Sequence, residues 1–257
     1  MGKITAVANQ KGGVGKTTTA INIAASLAAA EKKVLLIDTD PQGNSTSGLG
    51  LDKNSTDGSL YDLYIEKKRL DDIIQSTSLE NLKIIPSNIE LIGAELELST
   101  KDLRETILRN ALDPIKGQYH YIFIDCPPSL SLLTLNALVA ADSLLIPMQC
   151  EYYALEGISM LLHTYNLIRE SFNPSLEIEG ILLTMFDGRN TLANQVTDEL
   201  KKHFGDKVYR TVIPRNVTLA EAPSHGKPVM LYDIRSKGAQ SYIELAKEII
   251  GNETSAW

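Results

Sequence analysis

Short apolar runs alternate along this chain with longer segments whose apolar positions recur every three or four residues. Runs of the first kind are Ile4–Asn9, Lys33–Asp38, Leu82–Ile85, Tyr121–Asp125, Ser143–Pro147, Glu179–Thr184 and Val208–Ile213, each predicted to be a strand. The helical period marks Thr17–Ala30, Ser87–Leu98, Leu130–Ala141, Ala154–Glu170, Thr191–Phe204 and Ser236–Ile250. Strands such as Val34-Leu35-Leu36-Ile37 and Ile122-Phe123-Ile124 contain no polar residue. A strand apolar on both sides is covered on both faces, as in a parallel sheet. Strand–helix alternation then predicts an α/β fold, a doubly wound, mostly parallel sheet with helices on both faces. No linker, repeat or low-complexity run divides the pattern, so residues 1–257 are expected to form a single domain. The Gly-, Ser- and Asn-rich segment Gly43–Asp57 is expected to be a mobile loop.

Composition adds exclusions. The chain is 43% hydrophobic and 22% charged, which is ordinary globular usage. No run approaches the roughly 18 apolar residues that span a bilayer. The opening Met1-Gly2-Lys3-Ile4-Thr5 lacks the apolar stretch of a signal peptide. Two cysteines, Cys126 and Cys150, form neither a disulfide framework nor a zinc site, and reduced thiols are expected. A net charge of −7 argues against a protein coated in nucleic acid but allows a local basic patch.

Ligands of a doubly wound sheet bind beyond the carboxyl ends of its strands. Three such ends carry chemistry: Asn9-Gln10-Lys11, Asp38-Thr39-Asp40 and Asp125-Cys126-Pro127. The first leads into KGGVGKTTT, Lys11 to Thr19. The usual phosphate loop, G-x-x-x-x-G-K-S/T, requires glycine where this chain has Gln10. The physical parts survive in Lys11, Gly12, Gly13, Val14, Gly15, Lys16, Thr17 and Thr18. Gly13 and Gly15 let backbone N–H groups turn toward a phosphate, and the helix that follows points its positive end at the same anion. Lys16 can reach the β- and γ-phosphates, and the Thr17 hydroxyl can bind Mg²⁺. Asp38 and Asp40, two apart on an extended chain, face the same side. With Thr17 and Asp125 they read as a Mg²⁺–ATP site. Spacing alone leaves Lys11 open between a solvated loop residue and a functional cation.

KGGVGKTT resembles the deviant phosphate loop of the ParA/MinD family of ATPases. LLIDTDPQGN (Leu35 to Asn44) is similar to that family's second motif and YIFIDCPPSL (Tyr121 to Leu130) to its third. PMQCEYYALEG (Pro147 to Gly157) and VIPRNVTLAEAPSHGKPV (Val212 to Val229) resemble the Soj/ParA branch. The resemblance covers essentially the whole chain and implies a P-loop NTPase of the deviant Walker A class, hydrolysing ATP with Mg²⁺. It implies a homodimer that sandwiches two ATP molecules, with Lys11 reaching the partner's nucleotide and Gly12 lying against the partner subunit. Lys11, Lys16 and Asp40 are then the catalytic residues, Asp40 positioning the attacking water. Thr17, Asp38 and Asp125 surround the metal, Pro214, Arg215 and Asn216 line the adenine pocket, and Glu151 touches the partner's ribose. The loops Asp40–Asn44 and Asp125–Ser129 would order with ATP.

The family has three outputs. A MinD-type protein ends in a basic amphipathic membrane helix, whereas this chain ends in the acidic tail Glu244–Trp257, so no membrane-targeting helix and no membrane partner are expected. A nitrogenase-type iron protein needs paired cysteines around a cluster, and Cys126 lacks such companions. The third output is ATP-dependent, nonspecific binding of double-stranded DNA. Its candidate contacts are Arg189, Lys201, Lys202, Arg210 and Lys237, while Thr218 stands where relatives often carry a basic residue. With the loop starting at residue 11, no N-terminal helix-turn-helix domain is expected. The resemblance further implies a ParB-type centromere-binding partner that stimulates hydrolysis, a cytoplasmic, nucleoid-associated location, and a role in chromosome or plasmid partitioning. Two rivals are a regulator that positions division or motility machinery by the same dimer switch, and a module that binds ATP without turnover.

Overall fold

The computed structural model describes residues 2–99, 101–151 and 154–254, with the backbone alone for residues 154–156 and 253–254. Tyr152 and Tyr153 of the PMQCEYYALEG motif, and Ser255–Trp257 of the acidic tail, lie outside the described residues. Strands β1 (Lys3–Val7), β2 (Val34–Asp38), β3 (Gln75–Ser76), β4 (Leu82–Ile85), β5 (Tyr121–Asp125), β6 (Ser143–Gln149) and β7 (Glu177–Thr184) form one sheet. Its order is β3-β4-β2-β5-β1-β6-β7. Every pairing is parallel except β3 with β4.

The helices are α1 (Lys16–Ala29), α2 (Asn44–Gly48), α3 (Leu60–Tyr64), α4 (Leu70–Ile73), α5 (Leu91–Leu98) and α6 (Ile107–Leu112). They continue with α7 (Leu132–Ala140), α8 (Ala154–Ser171), α9 (Thr191–Phe204), α10 (Val217–Glu221), α11 (Val229–Tyr232) and α12 (Lys237–Thr254).

The unbroken apolar strands divide their side chains between two layers. Leu35, Ile37, Ile122, Ile124, Leu144 and Ile146 enter one core with α5, α7 and α8. Val34, Leu36, Tyr121, Phe123 and Leu145 enter the other with α1 and α12. The period of two in a strand therefore acts even where no polar residue reveals it. Each such buried side chain contributes about 1.5–3 kcal/mol of transfer free energy. β1 lies between β5 and β6; the chain leaves β1 toward β2 and leaves β5 toward β6, in opposite directions, so the carboxyl ends of these adjacent strands flank the crevice where such sheets bind ligands.

Three expectations are corrected. Val208–Ile213 is no strand: only Val208 and Pro214 bridge to β7 and its continuation, through Ile181 and Phe186. Between them the amides of Arg210 and Thr211 donate to the Glu248 carboxylate of α12, at 2.8 and 3.0 Å, so they are lost to a ladder. The helix expected from Ser87 begins at Leu91; Ser87 instead ties this segment to the β2 side, its amide donating to Thr46 Oγ1 and its hydroxyl to the Asp40 carbonyl. Gly43–Asp57 opens with helix α2, whose Ser45 and Thr46 are buried, where a mobile loop was expected.

Candidate nucleotide-binding site

The loop between β1 and α1 is strapped by residues of β6 and β7. Asn9 Nδ2 donates to the Pro147 carbonyl at 2.8 Å, and Asn9 Oδ1 accepts the Lys11 amide at 3.0 Å. Thr184 Oγ1 donates to the Val14 carbonyl at 2.8 Å. Gly13 and Gly15 stand at φ +75° and +86°, the left-handed region that glycine enters without a Cβ penalty. Gly15 immediately precedes α1, so the first turn's free N–H groups face the loop. Lys16 folds back over it, its ammonium donating to the Lys11 carbonyl at 3.1 Å, with only 7% of the residue exposed. Burial lowers its pKa, against the opposing pull of Asp125, Cys126 and Asp40. A cation beside converging amides is a phosphate cradle.

Asp38 and Asp125 stand in register on the neighbouring strands β2 and β5. Asp38 Oδ2 accepts the Thr46 amide and hydroxyl, both at 2.8 Å, and its Oδ1 accepts the Asp40 amide at 3.2 Å. Asp125 Oδ2 accepts the Ser45 hydroxyl at 2.8 Å, and the nearby Thr17 side chain works against the rise in this carboxyl's pKa. Burial pushes Asp38 up to about 6. Burial, and then the Asp38 charge, pushes Asp125 up to about 8. Asp40 is nearly buried and takes the Gln42 amide at 2.9 Å.

Asp125 Oδ1 is buried and has no hydrogen-bond partner among the described residues. An unpartnered carboxylate oxygen beside a threonine hydroxyl at the head of a phosphate loop fits Mg²⁺. That ion takes one or two protein oxygens and completes its shell with phosphates and water. Among the described residues no cluster of three or more His, Cys, Asp or Glu forms an all-protein cage.

Pro214, Arg215 and Asn216 line a cavity of about 360 Å³ that opens beside Gly15 and Thr18. Asn216 Oδ1 is buried there without a donor among the described residues. Sequence reasoning missed Thr184 and Met185 on the same wall. Met185 holds φ +49° and its sulfur accepts Gln149 Nε2. Both follow from a strand end, the signal that found the other acids, but neither carries charge. Asn22 was missed too: it bridges the Thr18 carbonyl (2.7 Å) and the Val229 amide (2.8 Å), tying α1 to α11. Opposite, Gly50 and Gly226 touch backbone to backbone. A Cβ on Gly226 would fall 2.7 Å from Gly50 Cα, so the segment after α2 packs directly against the turn before α11.

The remaining candidates are spread out. Lys11, Gly12 and Gly13 are exposed, and Lys11 Nζ meets the Glu151 carboxylate of its own chain. Arg189 forms a bidentate pair with Asp187, at 2.9 and 2.7 Å. Lys201 and Lys202 sit at the far end of α9, about 15 Å along its axis from Arg189. Arg210 lies beside Glu248 of α12, about 16 Å along that helix from Lys237. The structure thus does not gather these cations into one cluster. Cys126 and Cys150 are free and buried. No helix of the described residues is long and apolar enough to cross a membrane.

A family profile described as an AAA domain matches residues 2–178. Sporulation initiation inhibitor protein Soj of Bacillus subtilis is 58% identical over 98% of this chain and all of its own. Chromosome partitioning protein ParA of Myxococcus xanthus is 53% identical over 99% of this chain and 90% of its own. Among solved structures, cobyrinic acid a,c-diamide synthase of Mycobacterium smegmatis, with bound ADP and magnesium, superimposes at a TM-score of 0.87. It is 35% identical, over all of this chain and 97% of its own. The strapped phosphate loop, the paired buried acids and these near full-length matches agree, and the chain belongs to the ParA/MinD family of deviant Walker A ATPases, in its Soj/ParA chromosome-partitioning branch.

Proposed function

We propose that this chain is a Mg²⁺-dependent ATPase that partitions chromosomes or plasmids as an ATP-bound homodimer on nonspecific double-stranded DNA. The observation that carries the reading is the convergence of Lys16, Thr17 and Asp125 on one loop mouth, with Asp125 Oδ1 buried and lacking a donor. The loop amides and Lys16 hold the β- and γ-phosphates. Thr17 and Asp125 would hold Mg²⁺, which when bound spreads the charge that develops on the transferring phosphoryl group. Asp38 anchors α2 through Thr46 and receives the Asp40 amide, which stations the Asp40 carboxylate to orient water. Asn216, with Pro214 and Arg215, takes the nucleobase, its free acceptor facing a donor such as an exocyclic amine.

The other half of each site comes from a second copy. Lys11 would cross to the partner's phosphates, and Gly12 would let the two backbones approach. Arg189, Lys201, Lys202, Arg210 and Lys237 supply DNA contacts that matter once two copies add their charges, since a single body of net charge −7 binds feebly. A ParB-type protein accelerates hydrolysis and so releases the dimer from the nucleoid. Residues 1–257 act as one ATPase domain.

The deciding experiment measures ATP turnover with duplex DNA, with the ParB-type protein encoded nearby, and with both. Turnover raised most by the two together supports partitioning. Turnover indifferent to both points to another cargo, and no turnover at all points to a binding module. Asp40→Ala should bind ATP and dimerise without hydrolysing, and near-normal turnover in that variant would remove Asp40 from the role.

A further inference from the structure

β6 and β7 end side by side at Gln149 and Thr184, which are partners in register. Both side chains reach the phosphate loop, and each takes a backbone carbonyl there. Thr184 Oγ1, on a buried residue, donates to the Val14 carbonyl at 2.8 Å. Gln149 Nε2 donates to the Gly13 carbonyl at 3.2 Å. Neither side chain is charged, and neither belongs to the loop that binds phosphate.

Holding a carbonyl also fixes an amide. In a planar trans peptide the C=O of one residue and the N–H of the next point in opposite directions, and no peptide bond of the described chain is cis. The Gly13 carbonyl held by Gln149 therefore turns the Val14 amide away from β6. The Val14 carbonyl held by Thr184 turns the Gly15 amide away from β7. Neither amide donates to a group among the described residues, although Val14 is buried. Buried N–H groups are rarely left so, and successive free amides of this kind receive an anion. Gly13 and Gly15, at φ +75° and +86°, permit the required backbone. Their freedom permits other orientations of the same peptides equally well. The two side-chain donors remove that choice before a ligand arrives.

We infer that Thr184 and Gln149 are positioning residues for the nucleotide: they aim the Gly15 and Val14 amides at its phosphates. The inference rests on the ATPase reading above and deepens it. Thr184 does so while lining the nucleobase cavity beside Gly15, so Thr184→Val keeps the shape of that wall and removes only the donor.

The test measures ATP affinity by calorimetry with Mg²⁺, and the phosphorus-31 resonances of bound ADP. Thr184→Val should weaken ATP by about ten-fold and move the β-phosphate resonance of bound ADP from its wild-type position. Thr184→Ser keeps the hydroxyl and should hold ATP within about three-fold and the resonance in place. Gln149→Leu, on a half-buried side chain, should weaken ATP by about three-fold and move the same resonance. It carries the test if Thr184→Val does not fold. A merely structural role would lower the melting temperature of the free chain and leave the β-phosphate resonance unmoved. ATP affinity unchanged in both donor-less variants, an unmoved resonance, or an equal loss in Thr184→Ser overturns the inference. A wild-type chain that binds no ATP overturns the ATPase reading itself, before any variant is compared.

Discussion

Lys11 Nζ lies 2.5 Å from Glu151 Oε2 of the same chain, closing an ion pair between the phosphate loop and the segment after β6. The lysine assigned to a partner's nucleotide is therefore held at home. Both side chains are about half exposed, 41 and 53%, and such a pair contributes about 0.2–1 kcal/mol. Glu151→Gln should lower the concentration at which the ATP-bound dimer forms, by up to about five-fold, read by light scattering across a dilution series. High salt should erase the difference. A dimer weakened by this change would instead assign Glu151 to the partner's ribose.

Gly12 separates fold from interface. A Cβ built there meets nothing within 4 Å, unlike one on Gly50 or Gly226. Gly12→Val should keep its melting temperature and its affinity for ATP, and should fail to dimerise. Light scattering that showed an ATP-dependent dimer of this variant would count against a face-to-face sandwich.

A metal held at Asp125 would compete with a proton there. The folded-state pKa values of Asp38 and Asp125 are raised, to about 6 and about 8, above the ordinary carboxylate value. The nucleotide-free native state then holds more protons than the unfolded chain between about pH 4 and 8, and it loses stability as pH rises through that window. A cation at Asp125 would take the place of its proton. The gain in melting temperature from Mg²⁺ with ATP should therefore grow from about pH 6 to about pH 8.5. Asp125→Asn should flatten that growth in a fluorescence melting series.

Arg189 presents no free fork while Asp187 holds it. The pair pulls Asp187 down to about 2, so it stays ionised at any working pH. Asp187→Asn should strengthen ATP-dependent DNA binding several-fold at low salt and steepen the logarithmic salt slope by about 0.9 per protomer. Adding Arg189→Ala should cancel both gains. An unchanged slope in the single variant would place Arg189 away from DNA.

Much of the fold was legible because its signals are local. Val34-Leu35-Leu36-Ile37 is apolar throughout, and a buried parallel strand is the state such a run satisfies. Gly13, Gly15 and Lys16 announce a phosphate loop through backbone freedom and charge within a few residues. Val208–Ile213 misled for the opposite reason: its composition suits a strand, but Glu248, on a helix reached only in the tertiary fold, takes two of its amides. Gly43–Asp57 misled because its Ser and Thr side chains read as turn chemistry, whereas Ser45 and Thr46 bond the buried Asp125 and Asp38.

By itself the sequence determined the parallel α/β architecture, the phosphate loop and the three acidic strand ends, since each rests on periodicity or on residues a few places apart. The tertiary structure alone decided which Asp125 oxygen lacks a partner among the described residues, that Lys11 is paired in its own chain, that Asn22 ties α1 to α11, and that Gly50 packs on Gly226. These relationships join groups brought together by the crossovers of the sheet, and their energies depend on burial and distance, which no local pattern records.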